Sequence, residues 1–385
     1  MTLRCTVALS LLTAAAAACS LNVDKIGVGS DVVPHADQNG TTPGGGSDAS
    51  ATPPSGNADA GDAGMCRANL AEDTNNCGAC GHSCFGAACA ASLCQSERLT
   101  QVWGRMRVDA TKVYATHKGA LLVMDKTPFA RPQLRTSDSL YLYDLAQDDN
   151  AVYASGGVSA TGEGVIVRYA KSSNADPSPD LVTWKAPPGV KAHAIAVDGG
   201  YAYLLGQDGS IARVLKNAPA NTVLTPYLPA NTADFPLIAD ASHLFFNKDG
   251  SLKKVTTTDA IPAPVALADG SNRDVGQDEE ALYYYASGNT IRRIAKSGGT
   301  PTILVTGTAD APLDPVQIFA DAGHVYWTNL TKQALYSAPK GGGIPTLMAD
   351  TQGTATLQAV DALWLYWIGT SGEGPNDGWL FRLAK

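Results

Sequence analysis

The chain has 385 residues, 36 acidic and 28 basic side chains and a formal net charge of −8. Such a length admits two or three domains or one large repeat architecture, and the acidic excess argues against a surface built to hold nucleic-acid phosphates, which needs clustered Lys and Arg. With 39 Gly and 22 Pro the composition is far from collagen-like or wholly disordered, so most of the chain folds. The 6 Trp, 14 Tyr and 7 Phe are unevenly placed: only Phe85 precedes residue 97, which puts the large core in the C-terminal three quarters.

Met1 to Cys19 carries one charge, Arg4, then an apolar stretch from Val7 to Leu12 and a run of alanines. It is too short for a permanent membrane span and ends in small residues, so residues 1–19 read as a cleaved export signal. The tail Ala-Ala-Ala-Cys19 resembles the lipobox of bacterial lipoproteins. That resemblance implies lipid attachment at Cys19 and an N-terminal membrane anchor. With Ser20 rather than Asp next in line, it implies the outer membrane of the cell envelope, on the periplasmic or the surface side.

Residues 20–64 hold no aromatic side chain and are dense in Gly, Ala, Asp, Ser, Thr and Pro. A segment of this kind buries too little apolar surface to offset its ordering entropy and is expected to be a disordered tether. Six cysteines follow within residues 65–96: Cys66, Cys77, Cys80, Cys84, Cys89 and Cys94. An even number, closely spaced in an exported chain, reads as a disulfide module whose connectivity the sequence leaves open. Cys77 and Cys80 also have zinc-ligand spacing, but no second Cys or His pair completes a ribbon or finger. The string from Asp73 to Cys84, with Asn76-Cys77-Gly-Ala-Cys80-Gly and then Cys89 and Cys94, resembles the cysteine-rich repeat of the Stig1-like family. This implies an extracellular module without catalytic residues, in which Asp73 and His82 form turns.

From residue 97 to 385 one pattern recurs seven times: an Asp followed five positions later by Tyr or Phe. The pairs run Asp109/Tyr114, Asp148/Tyr153, Asp198/Tyr203, Asp240/Phe245, Asp278/Tyr283, Asp321/Tyr326 and Asp361/Tyr366. The period, about 42 residues, is that of a propeller blade built from four strands. A short apolar strand leads up to each Asp and a second surrounds the aromatic. Turn residues such as Asp249-Gly250 and Gly288-Asn289 then lead into a third strand that often ends in Lys, as at Lys296 and Lys385. The expected fold is all-β, a seven-bladed β-propeller with six blades as the alternative. The seventh copy ends after its third strand while Leu99–Trp103 precedes the first as an orphan, so the N-terminal strand is expected to complete the last blade and seal the ring. Val325-Tyr326-Trp327-Thr328-Asn329 and Leu365-Tyr366-Trp367 resemble the YWTD-type repeats of lipoprotein-receptor propellers and the bacterial TolB-like and DUF5050-type propellers. For the TolB-like domains the resemblance implies protein or envelope-polysaccharide partners.

The repeated Asp residues are expected to accept backbone N–H bonds at turns, and the aromatic stripe to pack between blades. His35, His82, His117, His193, His243 and His324 are scattered without partners at ligand spacing. No nucleophile elbow, His-Glu-x-x-His or P-loop occurs, and no catalytic, metal or cofactor residue is assigned. Asn329-Leu-Thr331 matches a glycosylation acceptor by chance. Two of the turns between second and third strands read as long, Gly156–Gly164 and Gly369–Gly378. They flank the first blade, which makes Glu163, Glu373, Asn376 and Asp377 candidate partner contacts. The function expected is a binding or interaction module on a cell-envelope lipoprotein. The alternative is a propeller enzyme, a polysaccharide lyase or glycosidase with its active site in the central channel.

Overall fold

The structure, a computed structural model, describes residues 71–72, 83–84, 88–90 and 93–385, the last with gaps at 103, 118, 128–129, 136–138, 173–181, 260–261, 271–274, 310, 351–354 and 371–377. Cys19, Cys66, Cys77, Cys80, Glu373, Asn376 and Asp377 lie outside the described residues, as do residues 1–19 and 20–64, the segments expected to be an export signal and a tether. Seven four-stranded antiparallel sheets follow one another along the chain, and no helix occurs among the described residues. Blades 1 to 6 occupy 106–135, 140–185, 192–228, 234–269, 275–306 and 315–350. In each, the first strand is innermost and touches the inner strand of at least one neighbouring blade, and the later strands follow outward in chain order.

Blade 7 takes its three inner strands from 355–384 and its outer strand from Glu97–Gln101, which pairs antiparallel with Gly378–Ala384. The ring is therefore sealed by the strand that precedes blade 1, as its repeat arithmetic implies, and no blade is left with an unpaired third strand. Arg382, nearly buried, staples this seam. It donates to Glu97 at 2.6 Å and to the Lys126 carbonyl of blade 1 at 3.1 Å, and it stacks over Trp364 at 4.2 Å.

The core lies between blades rather than within one sheet. Tyr203 and Leu205 of blade 3 pack with Leu244 and Phe246 of blade 4, and Tyr283 and Ile291 of blade 5 pack with Ile318 and Trp327 of blade 6. Aromatic rings that bury about 150–250 Å² each thus hold neighbouring sheets face to face, which explains why the stripe recurs once per blade. Ahead of the ring, Cys84 and Cys94 form a disulfide beside a short hairpin that pairs Cys89 with Cys94, and Cys89 is itself disulfide-bonded.

The repeated Asp does more than close a turn. Oδ1 accepts N–H bonds from the residues two and three positions on, as Thr111 and Lys112 donate to Asp109 at 2.9 and 2.8 Å, and the pattern holds in every blade. In six blades Oδ2 accepts the phenol O–H of the Tyr five residues on, at 2.6 to 3.1 Å, while blade 4 has Phe245 there. The Lys that follows the third strand of the next blade then reaches back to the same carboxylate. Lys171 meets Asp109, Lys216 meets Asp148, Lys296 meets Asp240, Lys340 meets Asp278 and Lys385 meets Asp321. Lys126 of blade 1 meets Asp361 of blade 7, carrying the series across the seam. Between blades 3 and 4 Thr257 stands in place of Lys. There Arg213 donates to the Thr257 carbonyl at 2.8 Å and stacks on Tyr201 and Tyr227.

Burial acts to raise the Asp321 carboxyl, but donors from Lys385, His324, Gly323 and Tyr326 outweigh it and hold the group at about 2. Against the same opposition from burial, the Asp109, Asp148, Asp240, Asp278 and Asp361 carboxyls are also held below the ordinary range. Burial and the adjacent carboxylate push the Tyr114, Tyr153, Tyr203, Tyr326 and Tyr366 phenols above theirs.

Candidate functional site

Each inner strand ends at the face that carries these Asp-Lys latches, so it begins at the other face, around the mouth of the central channel. Five inner strands break register with their neighbours near that mouth. The irregularities fall between Leu142 and Asp144, Ala192 and Ala194, Asp234 and Leu237, Pro315 and Ile318, and Leu357 and Ala359. A bulge inserts a residue without a ladder partner and re-aims its side chain, which is why bulges recur beside binding sites. Here the inserted residues include Tyr143, His193, Phe235, Gln317 and Gln358. Blade 1 adds Arg105, whose guanidinium lies 4.6 Å over the Phe235 ring, and the His193 ring packs on Phe235 at 5.8 Å.

Arg105, Tyr143, Phe235, Gln317 and Gln358 are among the residues that line a cavity of about 500 Å³. A second cavity of about 180 Å³ shares Arg105, Phe235 and Gln317 with it, and there Arg107 and Asp144 join the wall. Asp144 is nearly buried and committed: Oδ1 accepts the Leu145 N–H at 2.8 Å, Oδ2 accepts the Ile195 N–H of blade 3 at 3.2 Å, and Arg107 lies at 3.7 Å. Of the described residues lining the two cavities, Arg105 and Arg107 are cationic and Asp144 is anionic, so the axis is locally positive in a protein whose net charge is −8. Gln317 and Gln358 are 4% and 3% exposed. The Gln358 Nε2 lies 3.4 Å from Gln317 Oε1, and Gln358 Oε1 has no hydrogen-bond partner.

Of the expected partner contacts, Glu163 is described. It is half-buried at the end of a turn shorter than Gly156–Gly164, because the second strand of blade 2 runs to Val158 and pairs Gly157 with Gly164. That hairpin stands beside the mouth. The Tyr143 hydroxyl approaches Gly157, and Lys191, at the start of blade 3, approaches Gly162. His193 does sit at the channel, as an exposed ring on Phe235. Asn329 is committed inside the fold, its Nδ2 donating to the Pro312 carbonyl at 2.6 Å and its Oδ1 accepting the Lys332 N–H at 2.7 Å. Among the described residues no group of three or more His, Cys, Asp or Glu is placed to hold a metal ion. Sequence reasoning missed Arg105, Tyr143, Phe235, Gln317 and Gln358. Their one signal was polar or aromatic residues interrupting otherwise apolar inner strands.

The class this geometry defines is the seven-bladed β-propeller. The Staphylococcus aureus virginiamycin B lyase, solved as a catalytically inactive variant with quinupristin, has a similar fold: TM-score 0.58, 14% identity, covering 76% of this chain and 98% of that one. BamB from Moraxella catarrhalis is similar at TM-score 0.51 and 11% identity, over 76% and 98% of the two chains. YCF48 from Cyanidioschyzon merolae is similar at 0.54 and 11%, over 75% and 98%, and a YCF48 has also been solved bound to a D1 peptide. Identities this low establish the shared fold. No protein-family model matches the chain, and no curated protein sequence matches it.

Proposed function

We propose that this chain is a cell-envelope lipoprotein whose propeller is a binding module for a protein or polysaccharide partner, engaged at the axial mouth. The observation that carries the reading is the set of bulges that bring Tyr143, Phe235, Gln317 and Gln358 to one cavity, an arrangement that costs ladder pairing in four blades. Lipidation at Cys19 would fix the chain to the outer membrane, residues 20–64 would hold the ring clear of it, and the 65–96 disulfide module, similar to the Stig1-like repeat, would stand between them. The resemblance to YWTD and TolB-like repeats and the D1 peptide on a YCF48 propeller favour a protein partner. The enzyme alternative would draw on Arg105 and His193. A glycosidase needs two free carboxyl groups facing one bond, and of the described lining residues Asp144 alone carries one, engaged by two backbone N–H groups.

Two experiments test the reading. Metabolic labelling with palmitate should mark the wild-type chain and not Cys19→Ser, and an unlabelled wild type would refute the anchor. Affinity capture from envelope extract with the full chain should retain partners that a Tyr143→Ala/Phe235→Ala variant loses, and an unchanged retained set would refute the mouth as the binding surface.

A further inference from the structure

We propose that the wedge between blades 6 and 7 binds a small alkylguanidinium compound, in the place that the other wedges fill with a cation of their own. The third-strand residue paired across from the repeated aromatic is Arg168 in blade 2, Arg213 in blade 3, Lys254 in blade 4, Arg293 in blade 5 and Arg382 in blade 7. Where these side chains cross to the next blade their contacts repeat. Arg213, Lys254 and Arg382 donate to the carbonyls of Thr257, Lys296 and Lys126. Arg213 and Arg382 also lie 4.6 and 4.2 Å over the rings of Tyr201 and Trp364, each three residues after the Asp of its blade. Blade 1 has Val123 at this position, and there the nearly buried Arg135 of the fourth strand lines the wedge and leaves about 10 Å³.

Blade 6 has Ser337 instead, and neither its third strand, Ala334–Pro339, nor its fourth, Thr346–Asp350, carries a Lys or Arg. A cavity of about 790 Å³ lies there, a size that suits a small molecule, with His324, Ser337, Ile344 and Met348 of blade 6 and Lys385 of blade 7 among its walls. The platform for a cation is in place. His324 stands three residues after Asp321, and its ring meets Tyr326 at 6.0 Å and 44°, as Tyr201 meets Tyr203 at 6.0 Å and 45°. Yet His324 is exposed, whereas Trp364 beneath Arg382 is nearly buried. The Lys385 carbonyl is the counterpart of those of Thr257, Lys296 and Lys126, and a carbonyl oxygen has two lone pairs to offer. Ile344 and Met348 give an alkyl stem an apolar wall. The chain's own choice of cation names the head group: Arg fills five of the six occupied wedges, and a planar guanidinium stacks on a ring as an ammonium cannot.

The test is calorimetric titration of the full chain with agmatine, an alkylguanidinium, and with carbamoylputrescine, the same skeleton ending in a neutral urea. Agmatine should bind, and the urea should bind about tenfold more weakly. Ser337→Arg, which supplies the missing cation from within, should abolish agmatine binding and raise the melting temperature. His324→Ala should weaken agmatine binding about fivefold. The mouth variant Tyr143→Ala/Phe235→Ala should bind agmatine as the wild type does, so this site is tested apart from the binding-module reading. No binding at millimolar agmatine, equal binding of the urea, or agmatine binding that survives Ser337→Arg would each overturn the proposal. A pentapeptide with a central arginine that binds more tightly than agmatine would overturn it as well, by assigning the wedge to a partner's side chain. If Ser337→Arg proves unfolded, His324→Ala must weaken agmatine binding for the proposal to stand.

Discussion

Replacing Lys126 by Met tests whether the latches hold the ring shut. Met keeps most of the stem beside Tyr366 and removes the ammonium that meets Asp361 at 2.5 Å. The two side chains are 13% and 19% exposed, so the pair lies between two regimes. Exposed pairs contribute about 0.2–1 kcal/mol and breaking a buried one costs about 3–5 kcal/mol. Asp361 would keep bonds from the Leu363 and Trp364 N–H groups and the Tyr366 hydroxyl, which limits the loss. We expect Lys126→Met to cost about 2 kcal/mol, equivalent to a fall of about 3 °C in melting temperature for a domain of this size. The assay is a double-mutant cycle with Asp361→Asn, followed by urea unfolding and circular dichroism. A coupling energy of about 1–2 kcal/mol is expected for partners in direct contact. Strict additivity would refute the idea that the inter-blade pair closes the ring.

Deleting residues 97–101 should lower the melting temperature far more than Lys126→Met, since it exposes the edge of the third strand of blade 7 and removes the Glu97 partner of Arg382, and a melting temperature unchanged by the deletion would count against closure by this strand. The pH dependence has a definite sign. Asp carboxyls held below the ordinary value stabilise fully above about pH 4 and lose that contribution as pH falls through their folded values, about 2 for Asp321, so the urea midpoint should drop between pH 4 and 2. The Tyr phenols are held above the ordinary value, so their contribution is complete below about pH 10 and is lost as pH rises through the folded values. Gly276→Ala should destabilise strongly, because a Cβ there would stand 2.6 Å from the Ile318 carbonyl oxygen of blade 6. Gly199→Ala, with open space around it, should be neutral within about 0.5 kcal/mol by thermal melting.

The fold was legible because its units are local. Asp and an aromatic residue five positions on meet within one turn and strand, so their spacing survives in every blade, and in the fourth Phe245 loses only the hydroxyl bond and keeps the ring packing. The Lys at the end of the third strand was visible too, yet its partner was not: the bond joins neighbouring blades, and Lys126 and Asp361 stand 235 residues apart. The mouth was hidden for a related reason. Arg105, Phe235, Gln317 and Gln358 are different residue types at bulges in different blades, so nothing repeats for the eye to find, and only the closed ring brings them together. Glu163 does lie in the turn, which reads as longer than it is because Gly156 and Gly157 resemble turn residues. Gly156 is instead a strand position where the Tyr141 carbonyl passes too close for a Cβ.

If binding belongs to the channel mouth and the latch face is structural, a photo-crosslinker distinguishes the two directly. p-Benzoylphenylalanine in place of Tyr143, 42% exposed at the mouth, should trap the partner on irradiation in cells, whereas the same group in place of Leu363, 47% exposed on the latch face, should trap none. Crosslinks formed from Leu363 and absent from Tyr143 would contradict the mouth as the binding surface.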